Sequence, residues 1–331
     1  MSKLIASLPF EKDIQELEAL LARLEAKDAP GDTSDEVRRI RRELSNLIRK
    51  VYTNITSWET VLVSRHPARP QTTDYIRMIF DEFVELHGDR AIGDDRAIRT
   101  GFARIGDHRV LLVGQQKGHN LKERNECLFG CAHPEGYRKA LGKMKLAAKF
   151  KLPIICLIDT PGAYPGIGAE ERGQAQLIAT NLLEMSRLGT PIVCVVIGEG
   201  GSGGALGIGI GDRVSMLEFA YYSVISPEGC AGILWKEAND ETKRLAAEAL
   251  KLTARDLFRL RVIDEIIAEP LGGAHRDPVQ MGNILKAHLL RSLRDLKKLA
   301  IPDLLEQRYQ KFRKMGVFDE GLPQPAAAVN Q

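Results

Sequence analysis

The chain has 331 residues, 44% hydrophobic and 27% charged, enough to bury one large core with appendages. A net charge of +3 is too small to argue for a nucleic-acid partner. Five cysteines, an odd number scattered through apparent strands and loops, make no disulfide framework and suit a reducing compartment. The opening MSKLIASLPFEKDIQ reaches acidic residues before a signal-peptide core can form. No run approaches the ~18 apolar residues of a membrane span. A cytoplasmic protein without a membrane or nucleic-acid partner is expected.

In chain order, Ile14, Leu17, Leu20, Leu21 and Leu24 recur at three- and four-residue spacing, and Ala29-Pro30-Gly31-Asp32 breaks the pattern. A second helix is expected from Ser34 as N-cap, with Val37, Ile40, Leu44, Leu47 and Val51 as an a/d seam. Residues 1–52 therefore read as an αα-hairpin with Arg38, Arg39, Arg41 and Arg42 on its outer faces. His66-Pro67-Ala68-Arg69-Pro70 reads as a linker and Gln71 to Asp74 as a helix start. The polar stretch 83–95 reads as loop, and 98–105 with 110–114 as a hairpin around Gly106-Asp107. Pro134 opens a helix to about Lys151. Lys117, Lys122, Arg124, Arg138, Lys139 and Lys143 are either phosphate contacts or ordinary helix surface.

Two strand–glycine–helix units then organise the chain. Leu152 to Ile158 runs into Asp159-Thr160-Pro161-Gly162-Ala163-Tyr164-Pro165-Gly166, with an acidic helix from about Ala169. Ile192 to Ile197 runs into Gly198-Glu199-Gly200-Gly201-Ser202-Gly203-Gly204-Ala205, with a helix expected from Leu206. The wiring points to parallel strands, whose ligands bind beyond the carboxyl ends. Glycines there let main-chain amides approach a ligand, and a helix N-terminus favours negative charge. The plain alternative is close strand–helix packing. Beyond them, 213–218 and 222–225 read as strands, 242–260 as helix, 262–267 as strand and 279–299 as helix, with a disordered tail after 321.

Three other chemistries were weighed. Cys127 and Cys131 with His119 and His133 have approximate metal spacing but lack a second matched pair, so no metal is expected. Asp159-Thr160-Pro161-Gly162 has the look of a GTPase switch, but no G-x4-G-K-[ST] run precedes it. Gly200-Gly201-Ser202-Gly203-Gly204 fits the G-x-S-x-G elbow, which leaves an α/β serine hydrolase using Ser202, with His275 and Asp264 as partners, as the alternative. A non-catalytic scaffold subunit is a third reading.

Pro134 to Lys139, Ile158 to Gly166, Ala169 to Gln174, Gly198 to Ala205 and Ser226-Pro227-Glu228-Gly229-Cys230 together resemble the α subunits of bacterial-type acetyl-CoA carboxylase carboxyltransferases, over roughly residues 5–318. The resemblance implies an α/β, crotonase-like (ClpP/crotonase) fold, a superhelix of ββα units over 53–300, preceded by the helical hairpin and followed by a C-terminal helical segment and tail, 301–331. It implies transfer of a carboxyl group from carboxybiotin, tethered to the biotin carboxyl carrier protein, to acetyl-CoA. The malonyl-CoA formed feeds fatty acid biosynthesis. No directly bound cofactor is implied, carboxybiotin and acetyl-CoA being substrates. The partners implied are a zinc-ribbon β subunit in an α2β2 assembly, the carrier protein and biotin carboxylase.

By that resemblance the amides of Gly204 and Ala205, or of Gly203 and Gly204, hold the biotin ureido oxygen. Gly162, Ala163, Tyr164, Gly166, Gly201 and Ser202 line the carboxybiotin pocket. Released biotin takes the acetyl proton itself, so no side-chain base is required. Gly204→Val is expected to abolish transfer while leaving the fold intact.

Overall fold

The computed structural model describes residues 8–26 and 35–316. The expected N-cap at Ser34, the break at 29–32 and the tail after 321 lie outside them. Helices Lys12–Glu25 and Asp35–Thr53 pack together as a hairpin, joined at one end by Arg41 donating to Glu25 at 2.8 Å. Val37 and Ile40 are buried as the seam predicts. Further along, Ile48 and Tyr52 are buried while Leu44, Leu47 and Val51 are only partly so. The reason is tertiary: this end of the helix turns toward Phe219 and Val63, and Tyr52 donates to the buried Glu11 at 2.7 Å.

One eight-stranded sheet carries the rest. Its strands are β1 (Glu82–Glu85), β2 (Ile98–Ile105), β3 (His108–Gln115), β4 (Ile154–Thr160), β5 (Ile192–Gly201), β6 (Arg213–Leu217), β7 (Tyr221–Ser223) and β8 (Glu265–Ile267). The order is β1-β2-β3-β4-β5-β6-β8, with β7 paired to the far end of β5. β1, β2 and β3 are antiparallel neighbours, and every pairing from β3 onward is parallel. β4 and β5 are buried at every position, as strands covered on both faces must be. Their runs of Ile, Val, Leu and Cys form the centre of the core, against helices Pro134–Lys149, Gln174–Arg187 and Pro278–Leu296.

The structure corrects four expectations. The stretch 83–95 is not all loop: β1 is an edge strand whose exposed and half-buried positions alternate, so its polar residues concealed it. β5 runs four residues past Ile197, through Gly201, because Glu199, Gly200 and Gly201 pair with Tyr221, Tyr222 and Ser223. The following helix is therefore Ser202–Leu206, starting where a loop was expected. Residues 242–260 split into Asp240–Ala249 and Ala254–Arg259, divided by Lys251 at φ +50° and recapped by Thr253, whose hydroxyl accepts the Asp256 amide. Helix Ile301–Arg313 returns to the core. Its Arg308 is 1% exposed and donates to Asp212 and to the carbonyls of Met185, Leu188 and Thr190.

Candidate active site at the ends of β4 and β5

The two glycine segments meet main chain to main chain. A Cβ on Gly204 would overlap Gly162, reaching 2.9 Å from its Cα and 2.5 Å from the amide nitrogen of Ala163. A Cβ on Gly201 would overlap Pro161 and lie 2.9 Å from the Thr160 carbonyl. These two glycines are required for packing. Gly203 is not, since a Cβ there meets nothing nearer than Ile178 at 3.6 Å. The packing reading of the sequence therefore holds at Gly201 and Gly204 and does not account for Gly203.

Helix register sorts the amides further. Ser202, Gly203 and Gly204 are the first three residues of the helix, so their N–H groups have no intrahelical acceptor, and Gly201 supplies no side-chain cap. Ala205 is the first residue whose amide has a carbonyl four residues behind it. The opposite end of the helix is tied down. Gln115 Nε2 donates to the Gly204 carbonyl at 2.8 Å, Tyr137 Oη to the same oxygen at 3.3 Å, and Asn181 Nδ2 to Gly207 at 2.9 Å. Ser202 and Gly203 border a cavity of about 410 Å³, walled by Leu206, Tyr222, Val224, Leu257 and, from the C-terminal segment, Phe312 and Met315.

On the β4 side, Thr160 Oγ1 donates to the Gly130 carbonyl at 2.7 Å and accepts the Gly162 amide at 3.1 Å. That fixes Gly162 and Ala163 over the helix start. Tyr164 and Gly166 lie further out. The Tyr164 amide donates to Ala132 at 3.0 Å, and its ring packs against His133 at 4.1 Å. Gly166 lies under the Tyr164 ring and caps helix Ile167–Glu171.

A second cavity, about 360 Å³, adjoins these strand ends and holds a chain of ions that sequence reasoning passed over. Lys117 Nζ lies 2.7 Å from Asp159 and 3.2 Å from Glu199. Arg65, just before the stretch read as linker, bonds Glu199 at 2.7 Å and Glu228 at 2.5 Å, and Tyr221 donates to Glu199 at 2.9 Å. Burial opposes ionisation of Glu199, yet Lys117 and Arg65 outweigh it and hold the carboxyl at about 2. Burial pushes Asp159 up, but the Lys117 ammonium and the Glu199 amide, 2.9 Å away, both serve its carboxylate form. Two acidic residues at the ends of wholly apolar strands were the available signal, because buried carboxylates need partners.

The remaining candidates separate. Of the six basic residues, Lys117, Arg138 and Lys139 are ion-paired within the fold and so are not plain surface. Arg138 pairs with Asp89, and Lys139, 2% exposed, bonds Asp94 and the Asp95 carbonyl. His119 pairs with Asp74 at 2.7 Å and His133 with Arg172 at 3.3 Å, so no His/Cys/Asp/Glu group converges on a metal position among the described residues. Asp264 accepts from the Val214 amide and Lys311. His275 is 3% exposed, stacks on His66 at 4.1 Å, and has no hydrogen-bond partner at either ring nitrogen. The hydrolase triad is therefore not assembled, although Ser202 has the strained φ of an elbow, +51°. No described helix is long and apolar enough to cross a membrane.

The fold has counterparts among solved carboxyltransferases. The structure is similar to transcarboxylase 12S, solved with methylmalonyl-coenzyme A and methylmalonic acid bound, at TM-score 0.52 and 22% identity, covering 67% of this chain and 42% of that one. It is also similar to the geranyl-CoA carboxylase β subunit of P. aeruginosa at TM-score 0.51 and 16% identity, covering 77% and 45%. Likeness at these identities establishes the crotonase-like carboxyltransferase fold. Sequence relatives are much nearer. A protein of Rhodopirellula baltica named acetyl-coenzyme A carboxylase carboxyl transferase subunit alpha is 56% identical over 95% of this chain and 98% of its own length. One of the same name from Escherichia coli is 54% identical over 93% and 98%. The family model described as acetyl co-enzyme A carboxylase carboxyltransferase-like matches residues 7–316, and the chain belongs to that family.

Proposed function

We infer that this chain works as an α-type carboxyltransferase subunit, moving a carboxyl group from carboxybiotin to acetyl-CoA to give malonyl-CoA. The observation that carries the reading is the set of uncapped amides at Ser202, Gly203 and Gly204, in a helix start that packs against Gly162 and Ala163 at Gly204 and borders an apolar cavity at Ser202 and Gly203. Cleavage of the N–CO₂ bond of carboxybiotin leaves its electron pair on the ureido group, chiefly as negative charge on oxygen. Fixed N–H donors at that oxygen lower the barrier, each contributing roughly 2.7–4 kcal/mol. Of the two amide pairs, Gly203 and Gly204 are preferred, because both belong to the uncapped first turn of the helix. The biotin nitrogen, now basic, takes a methyl proton from acetyl-CoA, and the resulting carbanion attacks CO₂. No side chain is needed as base in this scheme.

The family name implies other subunits. We assign the thioester-side donors to a zinc-ribbon β subunit in an α2β2 assembly, which receives carboxybiotin from a carrier protein charged by biotin carboxylase. The test is malonyl-CoA-dependent carboxylation of biocytin, by this chain alone and co-purified with its native partner. Turnover confined to the complex is the expected result. Absence of turnover in a folded, assembled complex would remove the reading.

A further inference from the structure

We propose that Gln115 is a positioning residue of the cradle, a single side-chain amide that sets its two glycine segments relative to each other; this rests on the carboxyl-transfer reading above. Gln115 ends β3 and is fully buried. Its Oε1 accepts the Asp159 amide at 3.1 Å, at the base of the Gly162 segment. Its Nε2 donates to the Gly204 carbonyl at 2.8 Å, inside the other segment. Its own carbonyl accepts Thr72 Oγ1 at 2.6 Å, which anchors the strand end.

The position of these bonds explains their importance. The β4–β5 ladder slips here: Ile158 lies opposite Val196, but Thr160 lies opposite Gly200. Bulges beside active sites re-aim the chain at the cost of ladder bonds. Side chains supply the missing bonds, since the Asp159 amide goes to Gln115 and the Glu199 amide goes to Asp159 Oδ1 at 2.9 Å. Beyond the slip, β5 delivers a helix of only five residues, too short to hold its own direction. Gln115 and Tyr137 grip its Gly204 carbonyl from the β3 side and the neighbouring helix, which fixes the helix start where Gly204 packs against Gly162.

The side-chain amide accepts at one atom and donates at the other whatever the pH, which an ionised carboxylate cannot do. Glutamate presents a second acceptor to the Gly204 carbonyl, and methionine, of similar shape, offers neither bond. Gln115→Met and Gln115→Glu are made in the full chain, co-purified with its native partner, and assayed by malonyl-CoA-dependent carboxylation of biocytin. The expected result for Gln115→Met is a kcat lower by roughly 100-fold, the scale of a one-ångström misplacement, with KM for malonyl-CoA unchanged. For Gln115→Glu, the ratio of variant to wild-type kcat should rise as pH falls, because protonation restores a donor. Wild-type kcat in Gln115→Met, or a pH-independent ratio in Gln115→Glu, overturns the positioning role. Should Gln115→Met fail to assemble, the pH profile of Gln115→Glu decides. An inactive wild-type complex would instead remove the carboxyl-transfer reading itself.

Discussion

The two cavities beside the end of β5 have opposite chemistry. One is lined by Lys117, Asp159, Glu199 and Arg65, the last also paired with Glu228, and each of these ions lies within 3.2 Å of an opposite charge. The other is walled by Leu206, Val224, Leu257 and Phe312, and its polar lining includes the uncapped start of a helix. The charged chain has its fields directed at itself and stiffens the strand ends. The amides have no counter-charge, so they remain available to charge that appears during a reaction, without reorganising. In this molecule the strong charges pair with one another, and under the proposed function the weak dipoles carry the chemistry.

The largest way to break that contrast is at the main-chain junction. Gly204→Val should abolish transfer, by about 10²–10³-fold or more. Contrary to the expectation from sequence, it should also lower the melting temperature, since its Cβ overlaps Gly162 and overpacking costs about 1–3 kcal/mol. Gly203→Ala, which keeps its N–H and meets only Ile178, should stay within a few-fold of wild type. Equal losses in the two variants, measured as biocytin carboxylation and thermal melts, would erase the distinction between Gly204, which packing requires, and Gly203, which it does not.

Next is the charged side. Lys117→Met leaves Asp159 and Glu199 buried without their shared cation and should cost about 3–5 kcal/mol in urea denaturation. The sign with pH follows from Glu199, whose folded pKa is depressed to about 2. Its contribution is present above the unfolded carboxyl value of about 4.3 and is lost as pH falls toward 2. In Lys117→Met that acid-side loss should shrink. An unchanged acid profile would mean Lys117 does not hold the carboxylates.

A smaller, opposite case is His275. Burial first, then the charges of His66 and Arg69, depress its folded pKa to about 2. Below the unfolded value of about 6.5 the unfolded chain takes up a proton that the folded chain refuses. Stability should therefore decline as pH drops from 6.5, by up to ~1.4 kcal/mol per pH unit from this group. His275→Phe should remove that slope and leave stability at pH 8 nearly unchanged; a slope that survives would assign it elsewhere. The smallest effect is expected at Ser202, exposed at the cavity edge. Ser202→Ala should change the carboxylation rate less than about two-fold, since the backbone N–H that matters is retained. A collapse of activity there would restore a nucleophilic serine to the discussion.

Much of this was legible from residue order, because it depends on local chemistry. The runs Ile154 to Ile158 and Ile192 to Ile197 are too apolar to be anything but buried strands, and each empties into glycines. The hairpin declares itself by the spacing of Val37 and Ile40, and the helix at Pro134 by its first residue. What the order of residues could not contain is which distant groups meet. β5 extends through Gly201 because β7, and β4 at Gly200, pair with it, so the helix begins at Ser202 and its first turn includes Gly203 and Gly204. Lys117, Asp159, Glu199 and Arg65 stand up to 134 positions apart and were brought together by the parallel sheet and one short helix. The same folding parted Ser202, Asp264 and His275. Local preference acts over a few residues, whereas a site is a set of distances across the core, and those are decided by strand order and by the one register slip beside Asp159.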